Sequence, residues 1–309
     1  MRLLVITNMW PSDEKPYLGA FLADHLAVLR EKAELEVKYL PTTQNRWKYF
    51  AFTMPVEKRP DVIIVHHSLL VPLGLLIARR WRPRPRVMAY VHEGELSFKT
   101  GLKSALQRTL ANMADGRVSV TPALLGFLRK PVEVIPIGVN LDRFDLWTKQ
   151  DARRQLGFSK DATILFFPGD PARPEKRFDL CQDAVRILRG ENLSLELVIG
   201  GAIAYDHMPL YYSACDAVLL SSDYEASSTA IKESIASNRP IVTTRTGDAE
   251  LYGTNPLVVV SASTEQGIAA GIRHALTFQG QPTTRQSLDR IDNRVLTGNF
   301  VSFLESLCA

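Results

Sequence analysis

Short apolar runs alternate along this chain with longer segments whose apolar residues return every three or four positions. The runs fall at residues 3–6, 37–40, 62–66, 87–91, 116–120 and 132–135. A second series falls at 163–167, 195–199, 217–220, 241–243 and 257–260. Most are continuous, with no polar residue at alternate positions, as expected for strands covered on both faces of a parallel sheet. Between them Phe21, Leu22, His25, Leu26 and Leu29 repeat at helical spacing, as do Phe178, Cys181, Ala184, Val185 and Leu188. Strand and helix in alternation predict α/β layering, and two such series predict two doubly wound, Rossmann-like domains with parallel sheets. Residues 139–144 are expected to leave the first sheet, and a short polar helix over 149–156 to precede the next strand. This gives domains over 1–145 and 146–293, followed by a C-terminal helix over 294–309.

Composition fits that division. A chain of 309 residues is long enough for two domains at ~100–200 residues each. Apolar residues make up 46% and charged residues 23%, the balance of a globular protein with real cores. The net charge of +4 is unevenly spread: residues 1–150 hold 22 Lys/Arg against 14 Asp/Glu, and residues 151–309 hold 15 against 19. A basic front half points to an anionic ligand or surface, or to a merely solvated charged face. Cys181, Cys215 and Cys308 are odd in number and far apart, so neither a disulfide framework nor a zinc spacing is expected, and a reducing, cytoplasmic setting fits. The run 3–6 reads as a buried strand and not as a secretion signal. The longest nearly apolar stretch, 68–78, is far short of the ~20 residues needed to span a bilayer. The arginine-rich 79–86 that follows it, with Trp81, is either a solvated loop after a core helix or a peripheral contact with an anionic membrane, at its inner face.

In open parallel sheets ligands bind beyond the carboxyl ends of the strands, so chemistry is sought there. The richest segment runs from Ser221 to Glu233. It follows the strand 217–220 and leads into a helix over 229–237, with Ser227 or Ser228 as N-cap. A helix start offers free N–H groups and partial positive charge, which together hold phosphate. Glu225 in the loop and Glu233 one turn into the helix can bracket an extended ligand, accepting sugar hydroxyls at one end and ribose hydroxyls at the other. The same spacing also suits a surface loop carboxylate and a helix-start carboxylate with no ligand at all. Lys176 follows a strand–glycine turn at Gly169, where a cation neutralises a diphosphate or simply opens a helix. His92 follows the strand 87–91. Gly19 precedes the first helix, where a glycine admits a ligand or acceptor, or only makes a turn.

Other chemistries are poorly supported. Neither a G-x-G-x-x-G fingerprint nor a G-x-x-x-x-G-K-[ST] loop is present. His66-His67 lacks neighbouring metal ligands, and no Ser–His–Asp order stands out. No aromatic platform lies in a basic groove, so nucleic-acid binding is not expected.

Glu225-x7-Glu233, continued by Ser234-Ile235-Ala236-Ser237-Asn238-Arg239-Pro240-Ile241-Val242 and Gly247, resembles the signature of retaining glycosyltransferases of family 4. Val134-Ile135-Pro136-Ile137-Gly138-Val139-Asn140-Leu141-Asp142-Arg143-Phe144 resembles that family's interdomain crossing. Phe167-Pro168-Gly169 with Arg173-Pro174-Glu175-Lys176-Arg177-Phe178-Asp179 resembles its phosphate loop, and Met208-Pro209-Leu210-Tyr211-Tyr212 with Cys215-Asp216-Ala217 its segment before the carboxylates. Gly19 and His92 complete a likeness that covers nearly the whole chain in order.

The resemblance implies the GT-B fold, two Rossmann-like domains facing a cleft, with the first binding the acceptor, the second binding a nucleotide diphosphate sugar, and the tail crossing back to the first. It implies that Glu233 holds the ribose and Glu225 the transferred sugar. Backbone N–H groups at Ser227, Ser228 and Thr229 would touch sugar and diphosphate, and His92 would position the sugar. It implies a donor substrate with neither cofactor nor metal, and a sugar, lipid-linked or small-molecule acceptor. Asp170 stands where the family usually has arginine, and Arg173 is expected to supply that charge. Ala226 replaces a usual glycine and Ile137 a common asparagine. Glu93 and Glu95 are weaker candidates to receive a proton. A sugar-nucleotide epimerase on the same fold and a non-catalytic nucleotide-sugar-binding module are the alternatives.

Overall fold

In a computed structural model, which describes residues 1–10, 19–40, 55–92, 96, 99–144, 147–278 and 288–309, the apolar runs form two sheets. The first holds β1 (Arg2–Thr7), β2 (Glu34–Tyr39), β3 (Val62–His66), β4 (Arg86–Val91), β5 (Gly116–Ser119) and β6 (Val132–Val134), in the order β2-β1-β3-β4-β5-β6. The second holds β7 (Thr163–Phe167), β8 (Leu195–Ile199), β9 (Ala217–Leu220), β10 (Ile241–Thr244) and β11 (Val258–Ser261), in the order β11-β10-β9-β7-β8. Among the described residues all the pairings within them are parallel. Each sheet therefore reverses its strand order once in its interior, between β1 and β3 and between β7 and β9. Such a switch point opens a crevice at the carboxyl ends of the two strands.

Helices cover the sheets. In chain order they are α1 (Ala20–Lys32), α2 (Val71–Ala78), α3 (Leu102–Asn112), α4 (Leu141–Phe144), α5 (Lys149–Leu156), α6 (Phe178–Gly190), α7 (Met208–Ala214), α8 (Thr229–Ala236), α9 (Glu265–Leu276) and α10 (Asn293–Cys308). The second sheet shows why its strands read as unbroken apolar runs. Ile164, Phe166, Val218 and Leu220 enter one core with Tyr212, Ile231 and Ile235. Their neighbours Leu165, Phe167, Ala217 and Leu219 enter another with Cys181 and Val185 of α6 and Ile268 and Ile272 of α9. Both faces are dry, so period-two alternation has no use there.

The edge strand β2 is different. It starts three residues before the expected 37–40, because Glu34, Glu36 and Lys38 alternate with Leu35, Val37 and Tyr39. Among the described residues only β1 pairs with it, and charged side chains blunt its other edge. The polar helix α5 docks through charge. Arg153 is buried, and its guanidinium donates to the Ala214 carbonyl at 2.9 Å and to Asp216 at 2.8 Å.

The chain divides into a first unit, Met1–Ile137 with Asn293–Ala309, and a second unit, Gly138–Asp292. The first boundary thus lies eight residues before the expected 145. Residues 139–144 do not close the first sheet: Val139 and Phe144 are 1% exposed and belong to the core around Tyr212. The Val139 N–H donates to the Ile291 carbonyl at 2.9 Å, so the chain enters and leaves the second unit side by side. The helix α10 belongs to the first unit. Asn293 donates to the Asp24 carbonyl at 2.9 Å, and Thr297 lies 3.0 Å from His25 Nδ1. Phe300 is fully buried, with its ring stacked on Tyr90.

Candidate functional site

At the switch point of the second sheet, two loops leave the carboxyl ends of β7 and β9. The first makes a turn at Gly169, where an added Cβ would stand 3.1 Å from the Phe167 ring and 3.6 Å from Lys176 Cγ. The Gly200-Gly201 pair after β8 lets a third loop press onto this turn: a Cβ at Gly200 would lie 2.7 Å from the Pro168 carbonyl oxygen. The first loop ends in a short 3-10 turn, Pro174–Lys176, and Arg177 in the left-handed region (φ 47°) then starts α6. Ser221, first residue after β9, clamps that corner, with its hydroxyl 2.9 Å from the Lys176 carbonyl and 2.7 Å from that of Arg177. The Asp223 N–H donates to the Glu175 carbonyl at 2.9 Å. Burial of the corner pushes the Cys181 thiol, which donates to Ser221, up to about 12, so it is no nucleophile.

The fixed corner brings Lys176 Nζ to 2.6 Å from Glu225 Oε1. The Ser222 hydroxyl donates to the same oxygen at 2.6 Å. The two charged side chains are 15% and 14% exposed, covered enough to interact strongly yet open to a ligand. The glycine-turn lysine and the loop carboxylate thus meet directly as an ion pair. Arg173 takes no part in it. It is half-exposed and pairs with Glu175 at 2.5 Å, two residues along its own loop, so the expected replacement for the charge missing at Asp170 is engaged elsewhere.

The second loop continues into α8, whose N-cap is Ser228. Its side chain makes no capping bond. The cap comes from outside: Asp248 accepts the Ser228 N–H at 2.9 Å on one oxygen and the Ser227 hydroxyl at 2.8 Å on the other. Lys232 donates to that second oxygen at 2.7 Å, to Ser227 Oγ at 2.7 Å and to the Ser228 carbonyl at 3.1 Å. Both Lys232 and Asp248 are wholly buried. The expectation of a free Ser228 N–H therefore changes, because Asp248 already occupies it. The next N–H groups, at Thr229, Ala230 and Ile231, have no intrahelical acceptor by the geometry of any helix start. Thr229 and Ala230 are partly exposed.

Gly247 ties this second layer to Glu225. It has φ 57°, and an added Cβ would stand 2.8 Å from Glu225 Cβ and 2.9 Å from its carbonyl oxygen. Only glycine fits both demands. Glu233, one turn into α8, is 3% exposed. Burial, followed by the nearby charge of the Glu233 carboxylate, pushes the Tyr212 phenol well above its ordinary value. Lys232, Asp248, Ser222 and Tyr212 were not singled out by sequence reasoning. A lysine flanked by Ile231 and Glu233 in a helix whose Ile231 and Ile235 are buried was the available signal for the first of them.

His92 and Gly19 belong to the first unit. His92 Nε2 lies 2.9 Å from His66 Nδ1, so one imidazole donates to the other. Their rings stack, and Tyr90 stacks on His92 in turn. Burial, reinforced by neighbouring histidines, holds both rings well below their ordinary pKa, so both are neutral near pH 7. Gly19 is the left-handed cap of α1 (φ 73°), and a Cβ there would lie 2.8 Å from the Met9 backbone. Its close approach is to the chain itself. Glu93 and Glu95 lie outside the described residues. Among the described residues no group of three or more His, Cys, Asp and Glu forms a metal cage, and no helix is long and apolar enough to cross a membrane. Five arginines, 79, 80, 82, 84 and 86, are exposed around half-buried Trp81.

Residues 3–143 match the family model described as Glycosyltransferase Family 4, and residues 201–277 match that described as Glycosyl transferases group 1. The chain is 29% identical over 181 residues to a D-inositol 3-phosphate glycosyltransferase of Geodermatophilus obscurus, covering 58% of this chain and 38% of that protein. It is 28% identical over 206 residues to the protein of that name from Actinosynnema mirum, covering 64% and 47%. The matches thus span less than half the length of these curated relatives. A sucrose-phosphate synthase from Thermosynechococcus elongatus superposes with a TM-score of 0.77 at 14% identity, covering 99% of each chain. Anabaena HepE, solved in complex with UDP-glucose, superposes with a TM-score of 0.74 at 14% identity, covering 99% of this chain and 100% of that one. At such identities the likeness establishes the fold, GT-B.

Proposed function

We propose that this chain, whose residues 3–143 match the family 4 glycosyltransferase model, transfers a sugar from a nucleoside diphosphate sugar to an acceptor hydroxyl, with retention at the anomeric carbon. The observation that carries this reading is the Lys176–Glu225 pair, held with Ser222 at the carboxyl ends of β7 and β9 in the loop that runs into α8. A donor that enters there splits the pair. Its diphosphate takes the Lys176 ammonium and the open N–H groups of α8, and its sugar hydroxyls take the Glu225 carboxylate. Glu233 accepts the ribose hydroxyls.

When the bond between the anomeric carbon and the diphosphate breaks, negative charge gathers on the departing phosphate oxygen. A preplaced lysine stabilises that charge without reorganising. The acceptor hydroxyl adds from the face the diphosphate leaves, and its proton passes to the departing oxygen. Little acid–base help from side chains is then needed, so a neutral His92 suffices as a polar positioning group. The reading gives the charge-stabilising role to Lys176 and the amides and needs neither a metal ion nor a cofactor. The first unit takes the acceptor, a sugar, a lipid-linked sugar or a small molecule. The exposed arginines after α2 suit acceptors presented at an anionic membrane surface.

The test is a thermal-shift screen of UDP-, ADP- and GDP-sugars, followed by proton NMR of the stabilising donor with a panel of acceptors. One donor raises the melting temperature by mass action, and it is consumed with acceptor to give a product of the donor's own anomeric configuration. A rearranged sugar from donor alone, an inverted linkage, or binding without turnover contradicts the proposal.

A further inference from the structure

We infer that the buried Lys232–Asp248 pair is a positioning device for the donor, acting through the turn from Glu225 to Thr229 and touching no ligand itself. The inference rests on the functional reading above and adds to it two residues that hold the donor-binding turn in shape.

Stability alone is a poor reason for such a pair. Two charges taken out of water often contribute no more than apolar side chains of the same volume. The neighbouring inward positions of α8, Ile231 and Ile235, are apolar and fully packed. Yet Lys232 and Asp248 are both wholly buried, and their side chains hydrogen-bond to the Ser227–Ser228 corner and to one another. Asp248 satisfies the Ser228 N–H and the Ser227 hydroxyl, while Lys232 holds the Ser228 carbonyl. Gly247, next to Asp248, lies against the Glu225 backbone with no room for a Cβ. One short loop after β10 therefore acts as a mould for the turn that carries Glu225 and opens α8.

The charges also have to appear together. A carboxylate at the start of α8 sits where the helix favours an anion, the place a diphosphate would want. Alone, Asp248 would repel that diphosphate. Lys232 on the same oxygen cancels its charge, so the carboxylate can shape the turn without competing with the donor. Lys232 Nζ also lies 5.6 Å from the centre of the Tyr252 ring, an apolar lid on its far side. When the turn is held in advance, binding does not have to order it, and affinity rises accordingly.

The experiment compares wild type with Lys232→Met and with the double variant Lys232→Met/Asp248→Ala. It measures melting temperature, calorimetric Kd for UDP-glucose, ADP-glucose and GDP-mannose, kcat at saturating donor, and amide exchange of the peptide covering residues 225–232. The single variant melts early and loses donor affinity, because an unpaired carboxylate is left beneath the diphosphate. The double variant regains most of the melting temperature. Its donor Kd remains raised roughly tenfold, a loss of the size expected when charge-assisted hydrogen bonds no longer hold a binding turn. Its amides at 225–232 exchange faster, and its kcat stays within about threefold of wild type. Should the double variant not fold, Lys232→Gln/Asp248→Asn, which removes both charges and keeps shorter polar groups, is expected to show the same raised Kd. Donor Kd and exchange that recover together with the melting temperature would make the pair a structural brace and overturn the inference. A wild-type chain that binds none of the three donors instead overturns the functional reading, and this inference with it.

Discussion

Replacing Lys176 with methionine is expected to lower turnover at saturating donor by about 10²–10³-fold, the usual effect of removing one charge-stabilising donor from a dry site. Three features of the corner support so large an effect. The ammonium is fixed at 2.6 Å from Glu225, so it costs little to aim. Its backbone is held by Ser221 at one carbonyl and by the Gly169 turn beside its stem. The nearby cation, Arg173, is already paired with Glu175. Methionine keeps the packing of the stem and removes only the charge. Initial rates across donor concentration separate the outcomes: a fall in kcat marks a charge that matters in the transition state, whereas a rise in KM with kcat unchanged would mark simple ground-state binding.

Glu233→Gln should weaken binding of the intact donor and of the free nucleoside diphosphate to the same extent, by about 10²-fold if two hydrogen bonds to the charged carboxylate are lost. The amide keeps the size of the side chain but accepts on one oxygen only. The environment of Glu233 explains why the effect should be specific. It is almost fully covered, and it lies near the buried Tyr212 phenol. Tyr212 is in turn wedged edge-on against Phe144 and Phe166. Titration calorimetry with donor, nucleoside diphosphate and sugar 1-phosphate distinguishes a ribose contact from a sugar contact. Equal losses for the first two, with none for the third, are expected. A loss confined to ligands that carry the sugar would exchange the assigned roles of Glu233 and Glu225.

Much of the architecture was legible because of burial. Strands such as β3, β4 and β7 are covered on both faces, so their sequences are plain apolar runs with little ambiguity. The edge strand β2 begins three residues before its apolar run, because its charged alternation looks like surface. The apolar positions of residues 139–144 do not tell an exit from the first sheet apart from an entry into the second core, and Val139 and Phe144 are core residues of the second unit. In the site, the placing of Glu225 and of a lysine after the Gly169 turn at strand ends followed from chain order, but their direct ion pair did not. What stayed hidden were contacts between residues far apart in sequence. Asp248 caps a helix that starts twenty residues before it, and Gly200 makes room for Pro168. No periodicity announces either of them. Arg173 shows the opposite failure: a suitable charge at a suitable distance in sequence, turned by its own loop toward Glu175.

The most direct measurement is a crystal structure of the full chain with an unreactive analogue of the donor selected by thermal shift. The account predicts that the Lys176–Glu225 pair opens. Diphosphate oxygens should then lie within hydrogen-bond distance of Lys176 Nζ and of the first free amides of α8, with the ribose hydroxyls on Glu233. A diphosphate bound elsewhere, with Lys176 and Glu225 still joined, would contradict it.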